Sequence, residues 1–276
     1  MEELSDKVGQ LRCFIRQIGK EGVVVAFSGG VDSSTLAAVS HKVLGDKVVA
    51  VTAKSPTYTS EELEDAKRVA KEIGIKLFII ETDELSNEDF SRNPENRCYY
   101  CKKELLKNLT DFAHELGFKT VFEGTNFSDL NDHRPGFQAV KEAKNVYSPW
   151  MLNKFSKSEI RQVAKQIGLS VHNKPALACL ASRIPFNERI TADKLTRVDR
   201  AEQAVKALTG VKQVRVRDHN GLARIEVAKT ERNVFCNIKV LDNVYEALKN
   251  LGFKYVTFDL EGYQSGSMLK TLDKQK

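Results

Sequence analysis

The chain has 276 residues, 41% of them apolar and 29% charged, with 43 basic against 37 acidic side chains and a net charge of +6. That length leaves room for two domains and a sizeable core, and no run reaches the apolar length that spans a bilayer. The positive balance comes without a dense Lys/Arg run, so it suits a small anionic substrate and gives no reason to expect a nucleic-acid partner.

The opening, MEELSDKVGQ, is acidic and polar, unlike a signal or transit peptide, and a cytoplasmic enzyme is expected. VVVAF (23–27) reads as a buried strand, and Leu36, Val39 and Val43 mark the helix after it. KVVAVTA (47–53) is a second strand; Leu63, Ala66, Ala70 and Ile73 give a helix that Gly74 ends. KLFIIET (76–82), a helix over 99–116, KTVFEGT (119–125) and the face Ile160, Val163, Ala164, Ile167 complete the first part. This alternation predicts an α/β domain over 1–172, a parallel sheet covered on both faces. Residues 173–190, with two prolines and little periodicity, read as a linker. A smaller α+β domain is expected over 191–276. It has a helix with Leu195, Val198, Val205 and Leu208 inward, a hairpin of VKQVRVR and LARIEVA around Asn-Gly, a helix over about 230–250, and the strand KYVTFDL.

The strongest motif is AFSGGVDSS (26–34), between the first strand and its helix. Glycines there let backbone N–H groups approach a phosphate, and the helix N-terminus adds positive potential. Ser28, Gly29, Gly30, Val31 and Ser33 are candidate phosphate contacts, and Asp32 is placed to hold Mg²⁺ beside them. A plain Gly-Gly turn with an Asp near the helix start is the bland alternative; the strand–loop–helix order speaks against it. The loop lacks the lysine of a Walker A motif and is not GxGxxG. At these residues the chain resembles the N-type ATP pyrophosphatases, the PP-loop enzymes. The resemblance implies attack on the α-phosphorus of ATP, adenylation of an acceptor oxygen and release of pyrophosphate. In such sheets nucleotide binds at the carboxyl ends of the strands, where Ala26, Thr52 and Gly124 become contacts to adenosine.

The five cysteines are Cys13, Cys98, Cys101, Cys179 and Cys236, an odd and irregular set that reads as thiols or partial ligands, not disulfides. Cys179 lies in NKPALACLAS. Local composition alone makes it a small buried hydrophobe; Lys174 and Arg183 nearby would favour a reactive thiolate. In the hairpin, strand period two puts Val214 and Val216 on one face and Arg215 and Arg217 on the other, with Arg224 and Glu226 opposite. That polar face is either solvated surface or an anion site, since arginine forks suit phosphate and carboxylate.

NRCYYCKKELL (96–106), GTNFSDLNDHRPG (124–136), SKSEIRQVAKQIGL (156–169), KPALACLASRIP (174–185) and VRVRDHNGLARIEV (214–227) occur in this order. With the loop, they make nearly the whole chain resemble the LarE-type sacrificial sulfur transferases, the synthases of pyridinium-3,5-bisthiocarboxylic acid mononucleotide for the nickel-pincer cofactor of lactate racemase. The resemblance implies that ATP adenylates a pyridinium biscarboxylate mononucleotide and that Cys179 displaces AMP to form a thioester. Loss of the Cys179 α-proton then releases thiocarboxylate and leaves dehydroalanine. It also implies Arg215 and Arg217 at the substrate phosphate, and a homo-oligomer, a hexamer. Lys102, near the ATP loop, Arg183 and Glu226 are further candidate substrate contacts. The competing reading takes Cys98 and Cys101, with Cys179, as ligands of an iron–sulfur cluster in a tRNA thiolase. The absence of an RNA-binding appendage and of any cysteine after Cys236 speaks against it. Trp150 reads as packing at a strand end, and Asp132 and Arg134 as polar candidates beside a turn histidine, His133.

Overall fold

Alternating apolar runs become strands, and the computed structural model describes residues 2–131, 135–175 and 178–272. In chain order the elements are α1 (Glu2–Ile18), β1 (Val23–Ala26), α2 (Val31–Leu44), β2 (Val48–Lys54), α3 (Ser60–Ile73), β3 (Leu77–Glu81), α4 (Glu88–Ser91), α5 (Arg97–Glu115), β4 (Thr120–Phe122), α6 (Gly136–Glu142), β5 (Val146–Tyr147), α7 (Pro149–Leu152), α8 (Lys157–Gln166), α9 (Ala192–Thr209), β6 (Val214–His219), β7 (Leu222–Val227), α10 (Ile238–Asn250) and β8 (Tyr255–Phe258). They divide into two compact units, Met1–Asp83 with Cys98–Leu177, and Glu84–Arg97 with Ala178–Lys276.

The first unit is built on a parallel five-stranded sheet in the order β3-β2-β1-β4-β5. Strand alternation fills both of its faces. Val23, Val25, Val48 and Ala50 enter one core with residues of α1, α2, α3 and α8, such as Leu11, Ile15, Leu36, Ala66 and Ile160. Val24, Val49 and Val51 enter the other with Leu106 and Leu109 of α5 and Ala139 of α6. Each fully buried Leu or Ile contributes about 1.5–3 kcal/mol to this packing. The expected α/β class is therefore observed. Helix α1 was not anticipated, although Leu4, Val8, Leu11, Ile15 and Ile18 carry the helical spacing that packs it. Thr59 and Glu62 form a capping box at the start of α3, and Gly74 closes it at φ 76°.

The second unit has a mixed sheet, β6-β7-β8, with β7 antiparallel to β6 and parallel to β8. The hairpin turns on Asn220 and Gly221, both at positive φ, with His219 opposite Leu222. Three expectations are corrected. The long helix over 230–250 is two elements: a 3-10 stretch over Lys229–Cys236, then α10, whose N-cap Asn237 accepts the Lys239 N–H. Leu208 is 42% exposed, and Ala201 takes the inward place between Val198 and Val205. Ile167 falls just past α8 and faces outward.

Residues 84–97 belong to this unit because Asn93 ties them to it. Its amide nitrogen donates to the Ile184 and Pro185 carbonyls, its own carbonyl accepts the Asn187 N–H, and its side-chain oxygen accepts Arg97. From residue 178 onward the stretch read as a linker is anchored. Residues 180–183 form a 3-10 turn, and Leu180, Ala181 and Ile184 are buried. No helix among the described residues is long and apolar enough to cross a membrane.

Candidate active site

In the first unit, β1 ends at Ala26 and α2 begins at Val31, so the Gly-rich loop stands at the carboxyl edge of the sheet. Gly29 has φ 65°, and a Cβ there would lie 2.9 Å from the backbone of Ala66; only glycine fits. Gly124 also approaches the loop closely, since a Cβ on it would meet the Ser33 nitrogen at 3.2 Å. Ser33 Oγ accepts the Ser28 N–H at 3.2 Å and stands 3.1 Å from Ser28 Oγ. The first turn of α2, whose N–H groups lack intrahelical acceptors, contributes Asp32 and Ser33 to a cleft.

That cleft is lined by Ala26, Phe27, Ser28, Gly30, Asp32, Ser33, Val51, Ala53, Tyr58, Lys102, Leu105, Leu109, Glu123, Gly124, Thr125 and Asp129. Polar groups thus cluster at the loop end, and Leu105 and Leu109 offer an apolar wall for a flat ring. The structure brings Ala26, Ser28, Gly30, Asp32, Ser33 and Gly124 together here. Gly29, Val31 and Thr52 do not line the cleft. Gly29 packs the loop on α3, Val31 is buried in the core, and the pleat of β2 gives the wall Val51 and Ala53 instead of Thr52.

Asp32 is held from three sides. Lys157 of α8 pairs with Oδ2, Asn126 donates to Oδ1 at 3.5 Å, and the indole N–H of the buried Trp150 donates to its main-chain oxygen at 3.0 Å. Lys174 spans two partners of the same unit, the Gly29 carbonyl at 3.0 Å and Asp65 at 2.8 Å. Arg161 fixes the neighbouring chain by donating to the carbonyls of His172 and Lys174. Lys174, read from the sequence as a neighbour that activates Cys179, is thus a clamp on the phosphate loop.

Glu123 is buried at the end of β4, with Lys102 at 2.9 Å, the Thr125 hydroxyl at 2.8 Å and the Ser148 hydroxyl as donors. Burial pushes its carboxyl up, but Lys102 and the hydrogen bonds from Ser148, Lys102 and Thr125 together hold it below the ordinary 4.5. A depressed carboxyl stabilises the fold above its unfolded value and ceases to do so as pH falls through its folded value. Urea unfolding of the wild type should lose stability below pH 4.5. Glu123→Gln should flatten that slope and lower stability at pH 7 by about 1–3 kcal/mol.

In the second unit, Cys179 is the half-buried N-cap residue of the 3-10 turn. Arg183, 1% exposed, donates Nε and Nη2 to the two oxygens of Glu202, each at 2.8 Å. Its Nη1 reaches the carbonyls of Ala178 and Cys179, the latter at 3.0 Å. The face of the hairpin that alternation made polar is buried, not solvated. Glu226 is fully buried and pairs with Arg217 at 2.7 Å and Arg224 at 3.1 Å, and Ser267 donates to it. Arg217 Nε is buried without any hydrogen-bond partner. Arg215 lies over the Tyr263 ring, and no carboxylate among the described residues pairs with it. Burial, with Arg183 and Arg217 nearby, pushes its guanidinium down from the usual arginine range. Crowded arginines with an unused donor suit an anion. Glu226 serves there as the counter-charge that fixes two of them. Lys102 lines the cleft of the first unit.

Cys98 and Cys101 lie near the start of α5, the former exposed, the latter partly so. No group of three or more His, Cys, Asp or Glu side chains among the described residues is arranged to hold a metal ion. Asp132, His133 and Arg134 lie outside the described residues.

Residues 3–108 match the NAD synthase family model, which places the loop in that nucleotide-using class. Over 99% of its length the chain is 37% identical to 98% of the pyridinium-3,5-bisthiocarboxylic acid mononucleotide synthase of Lactiplantibacillus plantarum. The chain belongs to the LarE-type sulfur transferase family. It is thereby an ATP-using enzyme of sulfur transfer within the PP-loop superfamily. It is also 45% identical, over 98% of its length, to an uncharacterized protein of Synechocystis, all of which is covered. A tRNA-specific 2-thiouridylase of Rickettsia typhi is more distant, 29% identical over 55% of this chain and 53% of its own. For a LarE-type chain, sequence reading missed Glu123, Asn126, Trp150 and Lys157 as supports of the site. Glu123 and Lys157 lay inside quoted runs, FEGT and SKSEIR, but nothing local tells a lysine on a helix face from one that reaches Asp32.

Proposed function

We propose that this enzyme performs the LarE-type reaction on itself as sulfur source. ATP binds in the cleft of the first unit, its polyphosphate against Ser28, Gly30, Ser33 and the N-terminus of α2. Asp32 and the phosphates supply hard oxygen donors of the kind Mg²⁺ takes, and the metal's contribution is to neutralise charge on departing pyrophosphate. A carboxylate of a pyridinium biscarboxylate mononucleotide attacks the α-phosphorus. The Cys179 thiolate attacks the acyl carbon and expels AMP, forming a thioester. Removal of the Cys179 α-proton breaks its Cβ–Sγ bond, so thiocarboxylate leaves and dehydroalanine stays.

The observation that carries this reading is the presentation of Cys179, a half-buried thiol on a turn whose main chain is pinned by a buried ion pair. Arg215 and the unused Arg217 Nε favour an anionic substrate at the same unit. The relationship to the Lactiplantibacillus pyridinium-3,5-bisthiocarboxylic acid mononucleotide synthase supports a mononucleotide substrate. The proposed role is in nickel-pincer cofactor synthesis for lactate racemase, in the cytoplasm and without nucleic acid. Ile238, 75% exposed, with Leu241 and Tyr245 on one side of α10, offers an apolar face that supports a homo-oligomer; the hexamer is what the LarE-type resemblance implies. The test is intact-protein mass after incubation with ATP, Mg²⁺ and the mononucleotide. The Cys179 peptide should lose about 34 Da, the mass of H₂S, with one thiocarboxylate formed per chain. Product formed by protein of unchanged mass would overturn the proposal.

A further inference from the structure

We propose that Arg183 is a catalytic residue of the step that frees sulfur from Cys179. It stabilises the negative charge that develops on the Cys179 carbonyl oxygen when the α-proton leaves. The inference rests on sulfur donation by Cys179 as argued above and deepens it.

Breaking the Cβ–Sγ bond requires an electron pair from the Cα–H bond. A base takes the proton, and the pair first moves into the residue's own carbonyl, giving an enolate with its charge on oxygen. The pair then returns to form Cα=Cβ, and the Cβ–Sγ electrons leave with sulfur as thiocarboxylate. Atoms and charge balance without an oxidant: one thioester residue gives dehydroalanine, thiocarboxylate and a proton on the base. The α-hydrogen of a peptide residue is weakly acidic, so the enolate is where the protein has most to contribute.

The Cys179 carbonyl oxygen accepts two donors. The Ser182 N–H lies at 2.9 Å and Arg183 Nη1 at 3.0 Å. Both distances fall in the range of an oxyanion hole, and one donor carries a full charge. The guanidinium is fixed before reaction. Glu202 grips it at two points and itself accepts the Val216 N–H at 3.0 Å, which ties the arrangement to β6. Arg183 and Glu202 are both buried, where a charge-assisted contact gains strength over its value in water. Thioester formation places charge on the substrate's acyl oxygen, not on this carbonyl. The two half-reactions therefore depend on Arg183 differently.

The test follows AMP release and the intact mass of quenched samples over one turnover in Arg183→Lys. In a variant that stays folded by circular dichroism, AMP release should fall far less than dehydroalanine formation. The thioester adduct should accumulate, and dehydroalanine formation should fall about 10²–10³-fold, the loss seen when an oxyanion donor is removed. Cysteine deuterated at Cα should then slow the second step measurably. If the single variant does not fold, Arg183→Met with Glu202→Met removes the pair together and leaves no buried unpaired charge. Dehydroalanine at the wild-type rate in either variant, or a parallel fall in both steps, overturns the proposal. Wild-type protein that makes thiocarboxylate without any mass loss instead overturns sulfur donation itself, and the role of Arg183 with it.

Discussion

Cys179→Ala should abolish thiocarboxylate production while pyrophosphate release from ATP and substrate continues. The two outcomes separate because the groups proposed for adenylation belong to the first unit, whereas the thiol belongs to the second. Without a nucleophile the acyl adenylate has only water to react with, so AMP appears slowly and the carboxylate is regenerated. Loss of an enzyme's nucleophile costs on the order of 10⁶ in rate, and here no other sulfur is proposed to replace it. The side chain is half-buried and the change is small, so folding stability should move by less than about 1 kcal/mol. Product counting against enzyme concentration, with ³⁵S-labelled protein, checks the result. Label should leave wild-type chains once each and should not leave the variant at all. Continued thiocarboxylate formation by the alanine variant would remove Cys179 from the chemistry.

What the sequence made legible was local. AFSGGVDSS announced the phosphate loop because the strand before it, the glycines and the helix after it are contiguous, and Asn220-Gly221 announced the hairpin for the same reason. The alternation of strands with helices was sufficient to expect a sheet covered on both faces, where Val23 and Val25 fill one core and Val24 the other. What stayed hidden depends on partners far along the chain. Asn93 joins the second unit through carbonyls at 184 and 185, some 91 and 92 residues away. Arg215 and Arg217 looked like a candidate surface because period-two patterning reports which face a residue takes, not what covers that face. Ser267, from the C-terminal 3-10 turn, covers it and bonds both Arg217 and Glu226. Lys174 and Arg183 were read together as cations around one cysteine. The structure commits the first to Gly29 and Asp65, the second to Glu202 and the Cys179 carbonyl. Charge near a residue in sequence says little until the counter-charges are located.

Asp32→Asn should separate nucleotide binding from nucleotide chemistry. Asp32 sits in the first turn of α2 and lines the cleft with Ser28 and Ser33. In the absence of Mg²⁺, a carboxylate there repels the polyphosphate. Removing its charge while keeping its shape should tighten binding of metal-free ATP, an effect that shrinks as added salt screens the charges. With Mg²⁺ the sign reverses, because the proposed metal ligand is lost and charge on the departing pyrophosphate is no longer neutralised. Pyrophosphate release should fall by about 10²–10³-fold, the scale of losing one strong electrostatic contact to a transition state. The Asn126 and Trp150 contacts can both persist, since one now meets an amide oxygen and the other uses the main chain. Lys157 loses a counter-charge but is a third exposed, so water can solvate it and the fold should hold. Titrating ATP with and without Mg²⁺, alongside a pyrophosphate assay, reads both effects. A variant that binds metal-free ATP as the wild type does and retains full Mg²⁺-dependent turnover would show that Asp32 stands outside the phosphate field, and that the loop's acidic residue is only part of the helix start.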